Sequence, residues 1–290
     1  MAPLSVARRR GLRRLAVLLL TLALVVGGIY TAVYFVQRSE TLVSERCTAT
    51  AGGRSGELAP DQAANAALIT AVAVRRGLPA RAATIALATA MQESKLRNIG
   101  HGDQAGPDSR GLFQQRPSQG WGTEAQIMDP YYAVNAFYDA LVKIPGYETL
   151  DITDAAQRVQ RSAYPKAYAE HEDMGRAFAS GLTGQTPAGV QCTLRSPTAA
   201  GDPAAVATEL DHGYGGVDSQ VDGGTLVVDV DGALAWSVAQ WAVANAKDLA
   251  VTRVEVDGHT WQRSGGDGWQ AVGSPAAQVR ITVRTDDGGS

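Results

Sequence analysis

The hydropathy pattern changes character three times along the chain. Leu15 to Val36 is a run of 22 positions without a charge, preceded by Arg8, Arg9, Arg10, Arg13 and Arg14. At ~1.5 Å per residue it predicts about 33 Å of helix, enough to cross a hydrocarbon core. The arginines before it predict an inside N-terminus, with Tyr30, Tyr34 and Phe35 near the outer interface. A cleaved signal peptide is the other reading of such a run. Thr48 to Pro60 is rich in Gly, Ala and Ser and reads as a linker.

Beyond Pro60 the apolar positions take helical spacing. Ala64, Leu68, Ile69 and Val72 predict a helix that Asp61 caps and Gly77 ends. Pro79 opens a second helix, through Leu96, with Ile85, Leu87, Ala88 and Met91 as its core face. Ile99 to Gln114 reads as a polar loop or short hairpin. Asp129-Pro130 starts a helix through Ala133, Val134, Phe137, Tyr138 and Leu141. Two more helices are predicted, from near Asp154 and over Lys166 to Ala179.

From 202 onwards strand signals appear. A helix from Asp202-Pro203 to about His212 precedes strands at Thr225–Val230, Val251–Val256, His259–Gln262 and Val279–Val283, with a helix over Ala233–Ala250. The predicted fold class is α+β: a mainly helical domain, then a small two-layer α+β domain, after an N-terminal transmembrane helix. The expected boundaries are a basic tail at 1–14, the apolar helix at 15–36, a linker at 37–59, the helical domain at 60–182, a linker at 183–201 and the small domain at 202–290.

The formal net charge is -3, and five arginines precede the apolar run. The rest of the chain is therefore more acidic than the total, which argues against nucleic acid as a partner. The two cysteines, Cys47 and Cys192, bracket the helical region. A disulfide between them is expected in an oxidising compartment. The sequence has no CxxC pair or His/Cys cluster, so neither metal nor cofactor is expected.

The candidate chemistry centres on Glu93, in Ala90-Met91-Gln92-Glu93-Ser94, at the end of an alanine-rich helix. Gly111-Leu112-Phe113-Gln114-Gln115 follows. A carboxyl against a partly apolar wall holds its proton near neutral pH, as a glycan-cleaving acid must. Phe113 and Trp121 are candidates to stack on sugar faces, with core packing as the alternative. Gln114 and Gln115 are candidates to bond sugar substituents; if the segment is extended only one faces the cleft, and Gln114 is favoured. Asp103 and Asp108 are the candidates to align a water, in a setting that is also ordinary turn chemistry. Arg110 and Arg116 are candidates for peptide-stem carboxylates or solvated surface. The tryptophans at 236, 241, 261 and 269 form either a glycan face or an aromatic core.

Leu78 to about Ser180 resembles the lysozyme-like soluble lytic transglycosylase superfamily. The resemblance rests on Glu93-Ser94, on Gly111-Leu112-Phe113-Gln114-Gln115 and on Ala163-Tyr164-Pro165-Lys166-Ala167-Tyr168. Continued through Trp121-Gly122-Thr123, it looks like a group of actinobacterial membrane-anchored or secreted proteins. By that resemblance Glu93 matches the catalytic acid, and Ser94 the residue that steadies it. Gln114 matches the glutamine lining the glycan cleft. Tyr164 takes the place of the tyrosine near the carboxyl. Pro165-Lys166 departs from the asparagine and glycine usual after that tyrosine.

The function this implies is a lytic transglycosylase of the cell membrane, single-pass, with its catalytic domain outside. Its expected partners are peptidoglycan glycan strands, the membrane through the N-terminal helix, and cell-wall or secretion machinery. A hydrolytic muramidase and a non-catalytic glycan-binding scaffold are the alternatives.

Overall fold

The computed structural model describes residues 6–38, 43–102, 104, 106–160, 167–264, 266–273 and 278–286. The chain forms two units, Met1–Val43 and Ser44–Ser290.

The first unit holds helix α1, Val6–Arg38. Its described side chains, residues 15–31, are exposed, Leu24 at 69%. Among the described residues no helix is long and apolar enough to cross a membrane. The expected transmembrane helix over 15–36 is corrected on that ground. With it go the membrane as a partner through that helix, the single-pass placement with the N-terminus inside, and the outside position of the catalytic domain.

The second unit has a mixed α+β fold. Strands β1 (Arg46–Ala51) and β2 (Arg54–Leu58) form a hairpin where the sequence predicts a linker. Strand β3 (Val190–Thr193), from the second expected linker, completes an antiparallel sheet in the order β2-β1-β3. Cys47 and Cys192 face each other across β1 and β3 and are joined in a disulfide.

Helices α2 (Pro60–Arg75) and α3 (Ala80–Ser94) follow. Next come α4 (Glu124–Met128), α5 (Pro130–Leu141), α6 (Ile152–Gln160) and α7 (Glu172–Leu182). Alanine lets helices approach closely, and α3 is the central one, packed on α2, α5, α6 and α7. Ala82, Ala83, Ile85, Ala86, Leu87, Ala88 and Ala90 are all fully buried. The predicted Asp129 cap forms, its carboxylate accepting from the Tyr131 and Tyr132 amides. Asp61 lies inside the first turn of α2 and pairs instead with Arg97, at 2.6 Å.

Helix α8 (Pro203–Tyr214) is capped by Asp202, as its sequence predicts. Strands β4 (Ser219–Asp222), β5 (Thr225–Val228), β6 (Val251–Val256), β7 (His259–Gln262), β8 (Trp269–Ala271) and β9 (Val279–Val283) form an antiparallel sheet. Its order is β4-β5-β9-β6-β7-β8. Helix α9 (Gly232–Ala244) packs on β6 and β9 with Trp241 and Val243 buried. Trp236, Trp241 and Trp261 are at most 4% exposed, so these three form core and not a glycan face.

The helical and C-terminal segments share one core. Gln240 of α9 is fully buried; its Nε2 donates to the Gly181 carbonyl and its Oε1 accepts from the Val190 amide at 2.6 Å. Ser237 donates to the Leu182 carbonyl, and Trp269 Nε1 to that of Val190. Gly184 passes this junction at φ +76, where a Cβ would collide with the Ala233 carbonyl and come within 2.9 Å of the Ser237 nitrogen. Gly184→Ala is expected to destabilise the second unit by about 2–4 kcal/mol, read by urea denaturation, because strain and overpacking add. A loss below about 0.5 kcal/mol would mean the junction gives way easily.

Candidate active site

Glu93 and Ser94 form the last turn of α3. The chain then makes two successive left-handed residues, Lys95 (φ 55) and Leu96 (φ 56). Side chains of α2 hold this reversal: Gln62 Nε2 donates to the Lys95 carbonyl and Asn65 Nδ2 to that of Leu96, each at 2.8 Å. Leu96 is fully buried, which anchors the turn from the apolar side.

Ser94 is buried. Its hydroxyl donates to the Leu112 carbonyl at 2.7 Å and accepts from the Arg97 amide. It thereby ties the end of α3 to the Gly111–Gln115 segment. That segment is a turn, closed by an Arg110–Gln115 bridge and set by an Ile99–Gly111 bridge. Gly111 sits at φ +77, where a Cβ would lie 2.6 Å from the Ile127 carbonyl, so the turn needs glycine there.

The turn separates the two glutamines. Gln115 is 1% exposed and donates to the Ala133 carbonyl, so it belongs to the core. Gln114, at φ 48, is half-buried, with its Nε2 3.3 Å from the Gly111 carbonyl. Phe113 is fully buried and stacked on Phe137 at 4.4 Å between centroids. It packs the core and has no face for a sugar. Phe113→Ala is expected to cost about 3–5 kcal/mol of stability by denaturant titration. A loss under about 1 kcal/mol would contradict that packing role.

On the other side of Glu93 stands the one-turn 3-10 helix Ala167–His171. Tyr168, fully buried, donates from its hydroxyl to Glu93 Oε1 at 2.7 Å. The resemblance assigns this place to Tyr164, which lies outside the described residues, as does Asp103. The missed residue was within the same quoted stretch, four positions on. His171 Nε2 meets Gln92 Oε1 at 3.1 Å. Burial, then the nearby charge of Lys95, push the His171 imidazole below its ordinary value. Tyr168 and His171 thus clamp the last turn of α3 from one side while Ser94 ties it from the other.

Asp108 is engaged elsewhere. Its carboxylate accepts from the Ser118 amide at 3.1 Å and pairs with Arg116 at 2.7 Å. Bonds from Ser118 and Arg116 hold it well below the usual carboxylate range. Arg110 pairs with Glu124 at 3.2 Å, so both candidate arginines make local ion pairs.

A groove of about 730 Å³ lies beside the Gly111–Gln115 turn, lined among others by Trp121, Tyr132, Asp139, Lys143, Arg158 and Gln160. Gln160 joins the two by donating to the Phe113 carbonyl at 2.7 Å. Trp121 is half-buried at the groove, its carbonyl accepting from the Tyr132 hydroxyl. Among the described residues no group of His, Cys, Asp and Glu is disposed to hold a metal. No protein-family model matches this chain, and no curated protein matches it significantly.

Proposed function

We propose that this protein is a peptidoglycan lytic transglycosylase that cleaves the MurNAc-GlcNAc β-1,4 bond and leaves a 1,6-anhydromuramyl end. The observation that carries the reading is the 2.7 Å hydrogen bond from the buried Tyr168 to Glu93, at the end of the central helix and beside the Gly111–Gln115 turn.

The chemistry needs a proton on the leaving oxygen as positive charge builds on the sugar ring. Tyr168 donates to Glu93 Oε1 and holds the carboxyl in place for the transfer. Once that proton has gone to the leaving sugar, the carboxylate accepts the proton of the C6 hydroxyl. That hydroxyl bonds to C1 and closes the anhydro ring. One carboxyl serves both steps because the attacking group is already tethered to the substrate. In this reading Gln114, in the turn tied to Ser94, is the hydrogen-bonding group and Trp121, in the neighbouring groove, the stacking ring. Muramidase hydrolysis requires a second group to align water. Asp108, one candidate for that group, is already engaged by an ion pair and a backbone bond.

Mass spectrometry of purified peptidoglycan digested by the protein, beside its Glu93→Gln variant, tests the reading. Anhydromuropeptides from the parent alone are expected. Reducing-end products would move the assignment to hydrolysis. Glycan binding with no product from either form would make the protein a scaffold.

A further inference from the structure

The other end of α3 opens onto a separate cavity of about 290 Å³. Its lining includes Ala51 from β1, Arg54 from β2, Arg81 and Thr84 from α3, and Arg176 and Ser180 from α7. Three guanidinium groups and no carboxylate line it. Arg176 is answered by Glu172 on its own helix at 2.6 Å, and Arg54 by Asp173 at 3.0 Å.

Arg81 differs from these two. Among the described residues no carboxylate lies within salt-bridge distance of it. One guanidinium nitrogen donates to the Leu150 carbonyl. Its Nε–H is buried with no hydrogen-bond partner, a costly state for a charged donor. Burial, and then the like charge of Arg176, disfavour its protonated form, while the charges of Glu172 and Asp151 act the other way. The helix end adds to the field: Pro79 caps α3 without a side-chain acceptor, and the first turn carries no acidic residue. The positive end of the helix is therefore uncompensated at the cavity that Ala80 and Arg81 line.

We propose that this cavity is a phosphate-binding site, for a phosphate monoester or diester. A planar carboxylate is satisfied by one guanidinium fork. Cations approaching from a hairpin, a helix start and a second helix suit a tetrahedral group with oxygens on several sides. Phosphate also matches the uncompensated helix end. Arg81 and Glu93 are twelve residues apart on one helix, roughly 18 Å. The site therefore binds independently of the glycan chemistry and does not rest on it.

The test is isothermal titration calorimetry of the full chain at low ionic strength, with inorganic phosphate, glycerophosphoglycerol and acetate as separate titrants. Inorganic phosphate is expected to bind one-to-one, and acetate at least roughly tenfold more weakly. Arg81→Gln is expected to weaken phosphate binding at least about tenfold. Arg54→Gln, at the exposed rim, should weaken it about threefold and decides the matter if Arg81→Gln does not fold. Tight binding of glycerophosphoglycerol points to a phosphodiester polymer as the source; binding of inorganic phosphate alone points to a monoester or free phosphate. Absence of phosphate binding, equal affinity for acetate, or undiminished binding in the folded arginine variants overturns the proposal. Glu93→Gln should bind phosphate as the parent does, so this result stands apart from the outcome of the peptidoglycan digestion.

Discussion

Glu93→Gln is expected to lower the rate of anhydromuropeptide release by on the order of 10³ or more, with the melting temperature unchanged within about 2 °C. A positioned acid-base group contributes about 10²–10⁴ in rate, and here one carboxyl is asked to serve both proton transfers. Glutamine keeps the shape of the side chain and an oxygen to accept from Tyr168, so the clamp at the end of α3 survives while the transferable proton does not. Tyr168→Phe removes only the hydroxyl that fixes Glu93 Oε1. Its expected effect is smaller, roughly 10–10² in kcat with little change in KM, because it loosens the acid without removing it. Initial rates on purified peptidoglycan with both variants measure this. Activity within about threefold of the parent in Glu93→Gln would sink the assignment of Glu93. A Tyr168→Phe variant that loses only stability would reduce Tyr168 to a packing residue.

The second large effect concerns the disulfide. Cys47 and Cys192 lie 145 positions apart in sequence and directly opposite each other on β1 and β3. Cross-linking so long a segment restricts the unfolded chain, and the loop-entropy argument gives roughly 3–5 kcal/mol. Cys47→Ala/Cys192→Ala is therefore expected to lower the melting temperature of the second unit by roughly 10 °C, given about 2–4 °C per kcal/mol for a domain of this size. Burial of both sulfurs also predicts that reductant acts only after heating or denaturant has opened the sheet, since Cys47 is fully buried and Cys192 is 6% exposed. Thermal denaturation of the double variant beside the parent tests this. A shift below about 2 °C would mean that the sheet pairing, and not the cross-link, holds β1 to β3.

Local chemistry made several elements legible. Asp129-Pro130 and Asp202-Pro203 announce α5 and α8, because a carboxylate and a proline each suit only the start of a helix. Alternation and turn chemistry announce β6 and β7 around Asp257-Gly258. The β1-β2 hairpin was hidden, since Cys47, Ala49 and Ala51 alternate only as small residues and β2 buries just Leu58. Those strands exist because β3 pairs with β1 from far along the chain and α7 covers the sheet, with Met174 against Gly56. Strand β4 was hidden for a related reason: as an edge strand it is almost wholly exposed and polar. The apolar run at the N-terminus has a length and charge pattern that suggest a membrane span, and among the described residues no helix is long and apolar enough to support that reading.

For the site, the sequence by itself placed Glu93-Ser94 toward the end of an alanine-rich helix, with a polar loop or short hairpin after it. Both are properties of neighbouring residues, set by propensity and backbone freedom. It also supplied two cysteines and no metal-binding spacing. Only the tertiary structure decided which aromatic meets the carboxyl, which glutamine faces inward, and that Phe113 and three of the C-terminal tryptophans are core. Those choices depend on which face of each element is covered by another part of the chain. That covering is fixed by packing among α2, α3, α5, α7 and α9, which no local pattern encodes.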